Sequence, residues 1–171
     1  MMQLNGAQLM VRLLERQGVR TIAGIPGGAI LPFYDALSGS DQIRHVLARH
    51  EQGAAYAADA YARVSGRLGV VVTTTGPGAL NAAAGLAQAW SDSSPVLLVA
   101  PGMPTHLRRD PAAVDSPAPA WSARAEAAPA STGMLHEMRD QFAAMSACAD
   151  RGVVVRTPDD ARAAVAGVLA Q

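Results

Sequence analysis

The sequence predicts an α/β fold, a parallel sheet with helices on both faces. Short β-branched runs alternate with longer segments of helical period, the pattern of strand–helix–strand units. Two of the runs, the continuously β-branched "GVVVTTT" (69–75) and "SPVLLVAPG" (94–102), read as strands covered on both sides. Glycine- or proline-rich turns follow the runs, and parallel sheets gather such turns on one edge.

The elements follow in order. Leu9, Met10, Leu13 and Leu14 share one face of a helix over 6–17, which Gly18 ends. "VRTIAGI" (19–25) is the first strand, closed by "PGGA" (26–29), and Ala29–Leu37 is the next helix before the turn "SGSD" (38–41). The strand Ile43–Ala48 hands over to a helix from about Glu51 to Val64, ended by "SGR" (65–67). The run 69–75 passes through "GPGAL" (76–80) into a helix reaching Trp90, and 94–102 holds another buried strand. "GVVVRT" (152–157) and "PDDARAAVAGVLA" (158–170) complete the pattern as a final strand and helix, with Pro158 at the helix start. Between them, 16 of the 24 residues from Arg109 to Thr132 are Ala, Pro or Ser without apolar period. That stretch is expected to be a flexible surface insertion in a single domain spanning 1–171.

Composition narrows the function. Half of the 171 residues are apolar, enough for a core in one domain, and the formal net charge is zero. There is no basic footprint for nucleic acid or an anionic membrane, and no apolar run long enough to span a bilayer. A single cysteine, Cys148, excludes an internal disulfide and a cysteine-built metal site and fits a reducing cytoplasm. The expectation is a soluble cytoplasmic protein.

Taken singly, the motifs are modest. "TGPG" (75–78) lacks the Lys and Ser/Thr of a P-loop, and its glycine spacing is not the dinucleotide fingerprint. By itself it is a tight strand-to-helix turn. His50 and Glu51 could simply begin a helix, where a carboxylate favours the dipole by roughly 0.3–1 kcal/mol. His106 has no second ligand nearby at metal spacing. His136–Glu137 resembles half of a zinc-binding HExxH, but Asp140 stands where the second His belongs. No metal site is expected.

Together the motifs are specific. "GIPGGAILPFYDAL", "RHEQGAAYAADAYARVSG", "TTTGPGALNAAAG" and "SDSSPVLLVAPGMPTHL" closely resemble, in order, the pyrimidine-binding domain of thiamine-diphosphate-dependent enzymes. Within that superfamily the chain looks most like the acetolactate synthase large subunit and related 2-oxoacid decarboxylases and carboligases. The likeness runs over 4–107 almost without gaps and resumes around 133–171.

The resemblance implies thiamine diphosphate as cofactor and Glu51 as the catalytic carboxylate, hydrogen-bonded to a ring nitrogen of the aminopyrimidine. A protonated carboxyl there favours the imino tautomer, whose nitrogen removes the thiazolium C2 proton. A glutamate held among apolar groups would have the raised pKa that such proton sharing needs. By the same resemblance Pro26, Gly27 and Gly28, with Thr75, Gly76, Pro77 and Gly78, line the pyrimidine pocket, and Asn81 and "SDSSP" (91–95) lie at a subunit contact. Gly102 replaces a glutamine usual in the synthases, and His136 stands at the glutamine of an "FQE"-type motif, within "LHEMRDQ" (135–141). His106 and His136 are therefore expected to face substrate.

The family's diphosphate-binding domain carries "GDG" to hold Mg2+, and no "GDG" occurs in these 171 residues. The resemblance thus implies a stand-alone subunit of a split enzyme acting on a small 2-oxoacid. It would be active only with a diphosphate-domain partner, in a two-plus-two heterotetramer. A non-catalytic scaffold or regulatory pyrimidine domain is the alternative, and an ordinary nucleotide-binding domain a third. Retention of Glu51 with both glycine-rich turns favours the first; the missing fingerprint counts against the third.

Overall fold

The structure is a computed structural model that describes residues 4–102, 136, 138 and 140–169. Four parallel strands form one sheet: β1 (Thr21–Gly24), β2 (Arg44–Leu47), β3 (Gly69–Val72) and β4 (Val96–Val99), in the order β2-β1-β3-β4. The described helices are α1 (Gly6–Arg16), α2 (Leu31–Ser38) after a 3-10 turn at Gly28–Ile30, α3 (Glu51–Ser65), α4 (Pro77–Ser91), α5 (Gln141–Ser146) and α6 (Pro158–Leu169).

Both faces of the sheet are covered, as the unbroken apolar run of β3 requires. Val70 and Val72 point to one face and pack with Val11 and Leu14 of α1 and Phe33 and Leu37 of α2. Val71 points to the other and packs with Ala54, Ala55 and Ala58 of α3 and Ala82 of α4. Small residues let α3 and α4 approach closely. A Cβ on Gly85 would lie 2.5 Å from the Ala55 Cβ, so only glycine allows this crossing distance. The buried Asp59 accepts two bonds from Arg63 Nε, both 3.0 Å, and Arg63 also reaches Asp92 beyond the end of α4.

The helix ends follow local chemistry. The Asn5 side chain accepts from Gln8 N–H at 2.8 Å while Gln8 accepts from Asn5 N–H, a reciprocal cap that starts α1. Gly66, at φ 67°, ends α3 in the left-handed region. The α1 face differs from its expected stripe: Val11 and Glu15 are buried beside Leu14, whereas Leu9, Met10 and Leu13 are half-buried.

Two expectations need correction. "GVVVRT" (152–157) is not a strand: residues 151–156 pair with no described strand, and Val153, Val154 and Val155 are 37–47% exposed. β-branched side chains suit a pleated surface, but a strand exists only where a neighbour supplies the ladder. β4 is half-buried rather than fully buried, because it lies at the edge of the described sheet with β3 as its one paired neighbour. The expected insertion at 109–132 lies outside the described residues.

Candidate functional site

The order of winding switches between β1 and β3. β1 connects to β2 on one side yet pairs with β3 on the other, the switch point outside whose carboxyl ends open parallel sheets carry a ligand crevice. Four sequence-predicted turns follow the strands at this edge: 26–28 after β1, 49–51 after β2, 75–78 after β3 and 101–106 after β4, of which 103–106 lie outside the described residues.

The structure brings three of them into contact around Thr74. A Cβ on Gly27 would lie 2.6 Å from the Thr74 Cβ, and one on Gly78 would lie 2.7 Å from Thr74 Cγ2 and 3.3 Å from Glu51 Oε1. The absence of side chains at these two glycines is therefore what lets the β1, β2 and β3 loops converge. Pro26, Gly28 and Pro77 are exposed at the rim, while Thr75, Gly76 and Gly78 are buried.

Glu51 opens α3 in the first turn, behind an extended His50 whose Nδ1 accepts from Gln52 N–H at 3.2 Å. The helix start is thus capped by His50, which leaves the Glu51 side chain free for other contacts. Its Oε2 accepts from Asn81 Nδ2 at 3.0 Å. The expected enclosure among apolar groups is not found: Glu51 is half-buried, with the Asn81 carboxamide on one oxygen and Gly78 beside the other. Asn81, expected at a subunit contact, is exposed and lies beside the carboxylate.

Thr74 itself was not singled out by its sequence context. It is 8% exposed, and its Oγ1 is buried with no hydrogen-bond partner among the described residues. An unpartnered buried hydroxyl costs about 1–3 kcal/mol unless a ligand satisfies it. The hydroxyl, the carboxylate and the two bare glycines fit a flat, nitrogen-rich ring that needs close backbone approach and polar partners.

Only one of the two histidines expected to face substrate is described. His106 lies outside the described residues. His136 is exposed, with φ 65°, and its backbone carbonyl packs where a Cβ on Gly76 would stand. Gln141, a further side chain at this edge, carries no periodic or motif signal of its own beyond closing "LHEMRDQ". Its carboxamide bonds to Thr75 Oγ1, Gly76 N–H and the Pro101 carbonyl.

A cleft of about 500 Å³ lined by Gln17, Arg20, Tyr61 and Arg67 opens at the amino ends of β1 and β3, on the opposite edge. It shares no residue with the Thr74 cluster. Among the described residues no three His, Cys, Asp or Glu side chains gather as a metal site, and no helix is long and apolar enough to cross a membrane.

A doubly wound parallel sheet with a carboxylate and two bare-glycine turns at its switch point belongs to the class of α/β cofactor-binding domains. Residues 4–144 match the family described as thiamine pyrophosphate enzyme, N-terminal TPP binding domain, and the chain belongs to that family. It is 54% identical over 104 residues to a probable acetolactate synthase large subunit of Methanocaldococcus jannaschii, covering 61% of this chain and 17% of that protein. It is 57% identical over 97 residues to an acetolactate synthase of Mycobacterium bovis, covering 57% and 16%. The acetolactate synthase isozyme 1 large subunit of Escherichia coli is 47% identical over 105 residues, covering 61% and 19%. The matched stretch is thus under a fifth of each of these relatives.

Proposed function

We propose that this chain supplies the pyrimidine side of a thiamine diphosphate site in a 2-oxoacid decarboxylase or carboligase of the acetolactate synthase kind. Glu51 is the proton-holding residue of that site. The diphosphate and its Mg2+ are held by a separate diphosphate-domain subunit, in a two-plus-two assembly. The observation that carries this reading is the cluster at the sheet edge: a half-buried carboxylate, an unpartnered Thr74 hydroxyl, and Gly27 and Gly78 with no room for a Cβ.

The bound cofactor would supply an electron sink for the electron pair left when a 2-oxoacid loses CO2. The chain's residues do the rest of the pyrimidine-side work. Asn81 donates to Glu51 Oε2 and fixes the carboxyl plane, which directs Oε1 toward Gly78 and the crevice. From there the carboxyl can hold a proton against a ring nitrogen and return it. Thr74 packs against both Gly27 and Gly78 and so holds the β1 and β3 turns together beside Glu51.

The test is reconstitution of the full chain with a "GDG"-bearing subunit, with CO2 release from pyruvate measured in the presence of thiamine diphosphate and Mg2+. Glu51→Gln keeps the shape and removes the titrating group, so turnover is expected to fall at least ~100-fold, the scale of a lost acid–base residue. Unchanged turnover would sink the role of Glu51. A diphosphate-domain subunit fully active without this chain would make it a scaffold.

A further inference from the structure

Gly76 begins α4 with φ 64° and ψ −119°, a conformation that side-chain-bearing residues rarely adopt. As the N-cap it brings no side chain to the helix, and Pro77 behind it has no N–H. The turn is therefore held from outside. Gln141, the first residue of α5, does so with one carboxamide. Its Oε1 accepts from Gly76 N–H at 2.6 Å and from Thr75 Oγ1–H at 2.8 Å, and its Nε2 donates to the Pro101 carbonyl at 2.9 Å. The loops ending β3 and β4 are thereby tied to each other through a half-buried side chain 65 residues downstream of Gly76.

From this clasp we infer that Gln141 is a positioning residue for the cofactor pocket, acting through the Thr75–Gly76 turn on Gly78 and the space beside Glu51. The inference rests on the function proposed above. Only a carboxamide meets the geometry, because one end must accept twice and the other must donate. A glutamate at this position sets a carboxylate oxygen against the Pro101 carbonyl, two acceptors face to face. Protonation of that carboxyl restores a single donor while its other oxygen still serves the turn. A methionine fills the volume but leaves the Gly76 N–H and the Pro101 carbonyl without these partners.

The experiment uses the full chain with its diphosphate-domain subunit, thiamine diphosphate and Mg2+ as the titrated probes, and amide exchange read at Gly76. At pH 8 Gln141→Glu is expected to weaken thiamine diphosphate at least ~10-fold, while turnover at saturating cofactor stays within about threefold. Lowering the pH to about 4.5, into the ordinary carboxyl range, should recover part of that affinity relative to wild type at the same pH. Gln141→Met should weaken the cofactor similarly at both pH values, and Gly76 N–H should exchange at least about tenfold faster in Gln141→Met and in Gln141→Glu at pH 8. Gln141→Glu preserves volume, so the test stands even where Gln141→Met does not fold. Cofactor affinity within about twofold of wild type in Gln141→Glu at pH 8, or a loss that does not recover in acid, overturns the inference and leaves the proposed function standing. A wild-type assembly that binds no thiamine diphosphate overturns both.

Discussion

Asn81 donates its Nδ2 to Glu51 Oε2 at 3.0 Å, and this bond joins the first turn of α3 to the start of α4. It is the direct product of close helix packing. Ala55 and Gly85 let the two helices touch, and the polar residues one turn earlier on each then meet at the sheet edge. An orienting amide beside a carboxylate leaves one oxygen committed and the other aimed at Gly78.

Removing the amide should loosen the carboxyl without changing its chemistry. Asn81→Ala is expected to lower turnover of the reconstituted enzyme about tenfold, the scale of one lost hydrogen bond to a charged group. In the Glu51→Gln background the same change should cost little more, since both act on one group. A double-mutant cycle measures this.

The glycine cradle admits a sharper contrast. Gly78→Ala places a Cβ 2.7 Å from Thr74 Cγ2, and Thr74 cannot yield because Gly27 lies against its other side. Overpacking of this kind costs about 1–3 kcal/mol, and urea unfolding should show it together with lost cofactor affinity. Gly28→Ala meets open space and should stay within about 0.5 kcal/mol of wild type.

Helix spacing is expected to control the site at a distance. In Gly85→Ala the new Cβ lies 2.5 Å from the Ala55 Cβ and 3.0 Å from the Tyr56 nitrogen, so α3 and α4 must separate. A stability loss of about 1–3 kcal/mol should come with a fall in turnover, because Asn81 is carried away from Glu51. Calorimetry and steady-state kinetics on one preparation test the coupling.

Acid sensitivity has a named contributor. The Ser40 hydroxyl donates to Glu15 Oε1 at 2.6 Å, and this bond, joined by Arg12 at 2.8 Å, holds the Glu15 carboxyl below its ordinary range against the opposing effect of burial. A depressed folded-state pKa adds stability above the unfolded value, about 4.3 for glutamate, and that stability is lost as pH falls through the folded value. Ser40→Ala should therefore lower stability by about 0.5–1 kcal/mol at pH 7, kept small by solvent screening near the helix end. The gap from wild type should narrow below about pH 4 in urea titrations, leaving the part due to the Gln42 and Ile43 N–H groups that also donate to Ser40 Oγ.

Much of the fold was legible because burial leaves a periodic trace. The unbroken run at Gly69–Val72 marked a strand covered on both faces, and Gly66 marked where α3 would stop. Residues 152–157 show where that trace misleads. The valines there have strand-like side chains, yet a ladder is a property of two segments. At the site, Glu51, Gly27, Gly76 and Gly78 were visible through motif order. Thr74 and Gln141 were not, because neither residue type in its local setting differs from an ordinary turn or helix start.

The sequence by itself determined the α/β class, the edge on which the turns gather, and the presence of a glutamate where a strand meets a helix. Local pattern suffices for these, since side-chain period and turn chemistry act within a few residues. Tertiary structure alone decided that Glu51 is half-buried and tied to Asn81, that the Thr74 hydroxyl has no partner among the described residues, and that Gln141 grips the β3 turn. Those are contacts between segments 30 to 66 residues apart, or the lack of one. They are set by how closely α3 packs on α4 and where α5 comes to rest, which no single stretch of sequence encodes.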